Sequence, residues 1–229
     1  MRYPVILSYH RVDPGLGSDS PTIHPSTFER QMATLRKFWN PISLSDLLLW
    51  LEWKKELPPR SVVVTFDDGS EDTFVHAFPV LKKHRIPATI FMIAANVNSI
   101  RSLTAQQIRE MVPHGVTVGS HTVNHAYLPT LSLEEARKEL FDSKRILEGL
   151  GVSVDFLSYP AGGFTPEIQG LARAAGYRAA CTTNRGVRRF PIDRWALRRI
   201  TMHATNSFLG MWVKANGYYE INHRLRSPA

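Results

Sequence analysis

Short, nearly continuous apolar runs alternate along the chain with longer stretches whose apolar positions recur at helical spacing. Seven of the short runs read as strands: Val5–Tyr9, Ser61–Phe66, Ala88–Ile93, Val116–Gly119, Val154–Ser158, Tyr177–Thr182 and Trp195–Met202. They are rich in Val, Ile, Thr and aromatic residues. Several lack the polar alternate positions of a strand with one wet face, so they fit a parallel sheet buried on both sides. Helical spacing marks Thr27–Phe38, Ser45–Lys55, Thr73–His84, Pro166–Ala175 and Ser207–Ala215. Ser26 with Glu29, Thr104 with Gln107 and Ser132 with Glu135 have the separation of capping boxes. After Ser132 the stripe Leu133, Ala136, Leu140, Leu147 runs until Gly149 and Gly151, which mark a helix end.

Strand, helix, strand repeated in this way predicts right-handed βαβ units, in an open doubly wound sheet or a barrel. About seven strands favour an α/β fold of the barrel type, a distorted or incomplete (β/α) barrel, with residues 1–229 as one unit. No internal repeat or linker divides the chain. In such folds the chemistry lies at the C-terminal ends of the strands, and that is where candidate residues are sought.

Composition narrows the chemistry. The chain has 229 residues, 43% of them hydrophobic and 21% charged, enough for a sizeable core. No apolar run approaches the ~18 residues of a membrane helix. The first residues, Met1 to Leu7, lead straight into a strand without a signal-peptide pattern, an expectation of a cytoplasmic protein. The single cysteine, Cys181, excludes an internal disulfide and a Cys-rich zinc site, so a metal site would need His, Asp and Glu. The net charge of +8 is confined to one end. From Arg173 onward there are eleven basic and two acidic residues, and the rest of the chain is close to neutral. A basic end suits an anionic substrate, an anionic membrane at the inner face or nucleic acid, and it equally suits a solvated face. No nucleic-acid motif accompanies it, so a nucleic-acid partner is not expected.

Four clusters at strand ends can carry chemistry. Asp67-Asp68-Gly69 follows Ser61–Phe66. Two carboxylates beside a buried strand are costly without a cation or proton partner, and adjacent positions point apart, so one can bind a metal while the other faces water. The alternative is a helix N-cap before Thr73. His121 and His125 follow Val116–Gly119, and residues four apart meet if the stretch forms a helical turn. Two imidazoles and a carboxylate form a common ligand set for a catalytic divalent ion, against the alternative of two loop histidines. His10 ends the first strand and can donate a proton near neutrality, or can be a hydrogen-bonded structural residue. Tyr159-Pro160-Ala161-Gly162-Gly163 follows the fifth strand. Its Pro and Gly let backbone N–H groups approach a ligand, although an ordinary turn has the same composition.

Together these segments resemble the polysaccharide deacetylase family, the NodB-homology domain of carbohydrate esterase family 4. Thr65-Phe66-Asp67-Asp68-Gly69 is similar to its first motif, Ser120-His121-Thr122-Val123-Asn124-His125 to its second and Pro160-Ala161-Gly162 to its third. Ser158 stands where the third motif usually has Arg, and the C-terminal His motif is not evident around His203. Ser158-Tyr159-Pro160 and Tyr9-His10 are similar to the circularly permuted branch of poly-N-acetylglucosamine deacetylases, in which the first strand supplies the acid.

The resemblance implies a hydrolase that removes an N-acetyl group from an amino sugar in a polysaccharide, an oligosaccharide or a lipid-linked glycan, and the basic end suits an anionic or lipid-linked one. It implies a divalent metal on Asp68, His121 and His125, zinc in the first place, with cobalt, nickel or manganese also acceptable. Asp67 is then the base and His10, rather than His203, the acid. Tyr159, Pro160, Ala161 and Gly162 border the substrate and the oxyanion, and Arg199 replaces the missing arginine. Two other readings stay open: a sugar-binding member without turnover, and a related metal hydrolase acting on a ring amide or a formyl group.

Overall fold

A computed structural model describes residues 3–15, 21–183, 192–203 and 208–215, without the side chains of residues 208 and 209. Its strands are β1 (Val5–Tyr9), β2 (Arg11–Val12), β3 (Thr22–Ile23), β4 (Asn40–Pro41), β5 (Ser61–Phe66), β6 (Ala88–Met92), β7 (Val116–Ser120), β8 (Phe156–Ser158), β9 (Ala179–Thr182) and β10 (Leu197–Thr201). The helices are α1 (Pro25–Phe38), α2 (Leu44–Leu51), α3 (Phe78–His84), α4 (Ala105–Met111), α5 (Leu133–Glu148), α6 (Pro166–Ala174) and α7 (Phe208–Ala215). The seven long strands are parallel neighbours in the order β1-β5-β6-β7-β8-β9-β10. The barrel closes because β1 pairs with both β5 and β10, Ser8 standing beside Thr65 on one side and Thr201 on the other. The (β/α) barrel expected from about seven parallel strands is borne out, and it is closed. Its thinnest seam is β7–β8, where Ser120 and Leu157 are the registered pair.

Alternation along the strands sorts residues into two cores. Val62, Val64 and Phe66 face outward with Leu7, Ile90 and Val118, under the helices. Ile6, Val63, Phe91, Phe156, Ala179 and Leu197 fill the interior, and Leu44, Leu47 and Leu48 of α2 cover the end at which the strands begin. Burying each such side chain contributes roughly 1.5–3 kcal/mol. A Cβ at Gly119 would meet the Phe91 ring at 2.5 Å, so glycine lets that ring plug the barrel. One step further along each strand the interior turns polar: Ser8, Thr65, Ser158 and Arg199 are all buried. One further step reaches His10, Asp67, Thr201 and then His203. The period of two that specifies a strand thus also brings these groups to one mouth.

The capping boxes at Thr104 and Ser132 form as expected. The one at Ser26 does not. His24 is the N-cap, Pro25 opens α1, and Glu29 instead pairs with Lys83 and His84. A box at Ser43 with Asp46 escaped notice because its third residue is Asp rather than Glu. The single helix expected over Thr73–His84 is divided into a π segment, Thr73–Ala77, and α3. Pro79 has no N–H for the carbonyl of Val75, so the regular ladder cannot run through. Ser207, the expected start of α7, lies outside the described residues. No described helix is long and apolar enough to cross a membrane.

Candidate active site

The chain leaves β5 through two residues in left-handed backbone, Asp68 at φ 69° and Gly69 at φ 72°. Asp tolerates that region better than bulkier residues, and Gly is at home in it. A Cβ at Gly69 would also fall 2.1 Å from the Met92 sulfur, so both backbone and packing require glycine there. The reversal sends the two carboxylates apart. Asp67, whose N–H donates to the Tyr9 carbonyl (3.0 Å), stays in the barrel wall, while Asp68 projects toward the histidines.

Asp67 is 5% exposed and is gripped from β10, on the far side of β1. Arg199 donates from Nη1 to Oδ1 and from Nη2 to Oδ2, both at 2.7 Å. Its Nη2 also donates to Ser158 Oγ (2.8 Å) and its Nη1 to Thr65 Oγ1 (3.3 Å). Burial alone would raise the Asp67 pKa, but the Arg199 guanidinium outweighs it and holds the carboxyl at about 2. His10 Nε2 lies 3.9 Å from Asp67 Oδ2, and His10 Nδ1 is buried with no hydrogen-bond partner.

Asp68, His121 and His125 form a separate group whose ligand atoms all lie within 4.8 Å of one another. Asp68 Oδ1 is 3.8 Å from His121 Nε2 and 3.7 Å from His125 Nε2. The histidines do not meet through a helical turn, as their spacing suggested. Residues 121–125 form an irregular turn with Thr122 at φ 64° and His125 at φ 58°, which brings the rings to 4.7 Å between centroids. His121 is buried, and its Nδ1 lies 2.7 Å from the Ser158 carbonyl. A carbonyl only accepts, so Nδ1 carries the proton and the Nε2 lone pair faces Asp68. Burial pushes the His121 pKa down and keeps the ring neutral. A carboxylate and two imidazoles, one of them neutral with its tautomer fixed from behind, fit a divalent ion with coordination positions to spare.

Glu139 of α5 holds this turn in place. Its Oε2 accepts from the N–H of Val123 (2.8 Å) and Asn124 (2.9 Å), and its Oε1 from Asn124 Nδ2 (2.7 Å). Sequence reasoning missed Glu139. In the sequence it is one more acid on a solvated helix face, and only the fold brings it to the turn.

Both sets open on one cavity of about 420 Å³, whose walls include His10, Tyr159, Ala161 and His203. Tyr159 is buried, and Ala161 takes φ 51° in the short turn after β8. Pro160 and Gly162 stand behind that wall. The Gly162 N–H donates to the Tyr159 carbonyl (2.9 Å), and its own carbonyl accepts from Thr182 Oγ1 (2.7 Å). Burial, with the charges of Lys214 and His10, pushes the His203 pKa down. The basic end does not form one cationic face among the described residues. Arg199 and Lys214 are buried, Arg178 and Arg194 pair with Glu52, and Arg173 and Arg194 lie over Trp195. Arg185, Arg188, Arg189, Arg224 and Arg226 lie outside the described residues.

Known proteins share this architecture and these segments. The polysaccharide deacetylase family matches residues 54–180, more than half of the chain. YxkH of Bacillus subtilis (strain 168), whose name places it among polysaccharide deacetylases, is 32% identical over 92% of this chain and 76% of its own length. The poly-β-1,6-N-acetyl-D-glucosamine N-deacetylase of Staphylococcus aureus (strain N315) is 30% identical, over 42% of this chain and 34% of its own. The structure of the Streptococcus pyogenes deacetylase PplD in complex with acetate superposes with a TM-score of 0.84 at 25% identity, covering 93% of this chain and 97% of that one. A closed parallel barrel, paired aspartates after its β5 strand and paired histidines after β7 are thus joined to a match over most of the chain, and the protein belongs to the polysaccharide deacetylase family.

Proposed function

We propose that the protein is a metal-dependent hydrolase that removes the acetyl group from an N-acetylated amino sugar within a glycan, with zinc as its ion. The observation that carries this reading is the divergence of two adjacent carboxylates. Asp67 is held by Arg199, and Asp68 stands with two imidazoles. A structural pair would gain nothing from that division. The name of the Staphylococcus aureus relative supports N-acetylglucosamine as the sugar.

Asp68, His121 and His125 would hold the ion. A bound divalent ion polarises the acetyl carbonyl and acidifies a water. Arg199 keeps Asp67 ionised at every working pH and fixes both of its oxygens, so Asp67 takes the proton from the attacking water in a set direction. The water oxygen bonds to the acetyl carbon, and the developing oxyanion lies toward the turn that carries Ala161, where a backbone N–H can meet it. His10, 3.9 Å from Asp67, gives a proton to the nitrogen as the C–N bond breaks, leaving acetate and a free amine. Burial lowers the His203 pKa, so less of it carries a proton to give near neutrality. An arginine from β10 reaching Asp67 supports the reading of Arg199 as the replacement for the arginine that Ser158 displaces.

The test is acetate release from N-acetylglucosamine oligomers, with a chelator and after zinc is restored. Loss with the chelator and recovery with zinc is expected. Turnover that ignores the chelator would defeat the metal assignment, and formate release from N-formyl substrates alone would defeat the acetyl one.

A further inference from the structure

Tyr127 stands two residues beyond His125, close enough along the chain that their Cα atoms lie within about 7 Å. It is 44% exposed, and its chain neighbour His125 lines the cavity together with the buried Tyr159. The ring rests on backbone. A Cβ at Gly163 would lie 2.2 Å from Tyr127 Cε2 and 2.7 Å from its Cζ. Gly163 itself has φ −83° and ψ 129°, a conformation open to any residue, so the ring rather than the chain requires glycine there. The backbone at Tyr127 is also held, because its carbonyl accepts from the Thr130 N–H (3.1 Å) and from Thr130 Oγ1 (2.8 Å). The next residue after Gly163, Phe164, stacks on Tyr159 with centroids 5.1 Å apart. Tyr127 thus rests on Gly163, whose chain neighbour Phe164 stacks on Tyr159 of the cavity wall.

We propose that Tyr127 is a stacking platform for a sugar residue next to the one whose acetyl group enters the cavity, so that it selects glycan chains over single sugars. This rests on the deacetylase reading for its substrate. The C–H groups on one face of a pyranose ring pack on an aromatic face, and a ring already seated on Gly163 loses little freedom when a sugar covers it. Contact with the ring face needs no hydroxyl, so phenylalanine should serve as well as tyrosine.

The experiment uses the zinc-loaded protein and N-acetylglucosamine oligomers of one to five sugars, reading KM and kcat from acetate release and affinity from calorimetry with the pentamer. In the wild type KM should fall as the chain lengthens. Tyr127→Ala should flatten that fall, raising the pentamer KM roughly three- to tenfold with kcat within about twofold, and should weaken pentamer binding by the same factor. Tyr127→Phe should restore both. A Tyr127→Ala variant with an unchanged length dependence would overturn the proposal, as would a loss confined to kcat. If the wild type binds the pentamer but releases no acetate, the deacetylase reading falls and the platform is judged by binding alone.

Discussion

Replacing Arg199 by Met keeps most of the side-chain length and removes the guanidinium. The barrel interior then holds an ionised Asp67, 5% exposed, without the two 2.7 Å hydrogen bonds that balance it. Ser158 Oγ also loses its 2.8 Å donor. Removing one partner of a buried ion pair costs about 3–5 kcal/mol, because the remaining charge stays buried and uncompensated. That is a large part of the 5–15 kcal/mol that typically separates folded from unfolded chains. Removing both charges is cheaper, so Asp67→Asn combined with Arg199→Met should cost about 2 kcal/mol less than the sum of the two single variants. Urea unfolding at pH 7, followed by tryptophan fluorescence at one fixed zinc concentration, gives all four corners of the cycle. An Arg199→Met variant within 1 kcal/mol of wild type, or additive single variants, would refute the reasoning.

Three further outcomes follow from the geometry. Asp67 has a carboxyl held at about 2, below the roughly 3.9 of an unfolded chain, so its contribution of about 2–3 kcal/mol is present above pH 4 and is lost as the pH falls through 2; urea midpoints between pH 6 and pH 2 should fall less steeply in Asp67→Asn, and equal slopes would contradict this. Glu139→Ala releases three hydrogen bonds to the histidine turn, so zinc affinity measured with a competing chelator should fall about 10- to 100-fold, and an unchanged affinity would show that the turn holds itself. Burial pushes the Cys181 thiol up to about 12, so a disulfide reagent should find no thiol in the folded protein and one after denaturation; rapid labelling of the native protein would disprove its burial.

The barrel was legible because its strands are buried on both faces, and Val62, Val63 and Val64 together admit few other readings. Two-sided burial looks the same in an open sheet, so the barrel was expected from the number of strands, and the pairing of β1 with β10 closes it. The aspartates and histidines were legible as a set, since each cluster follows a strand. The way they meet was not: His121 and His125 come together through two left-handed residues that a spacing of four does not encode. Arg199 was accessible through the position it had to replace, whereas Glu139 and Tyr127 depend on contacts between α5, the histidine turn and Gly163 that no local pattern announces.

The division of labour between Asp67 and Asp68 is tested most directly by measuring zinc content and acetate release on the same preparations of wild type, Asp67→Asn and Asp68→Ala. Asp67→Asn should keep its zinc and lose turnover by at least about a hundredfold, and Asp68→Ala should lose both. Acetate release near the wild-type rate from Asp67→Asn, or stoichiometric zinc in Asp68→Ala, would contradict the account.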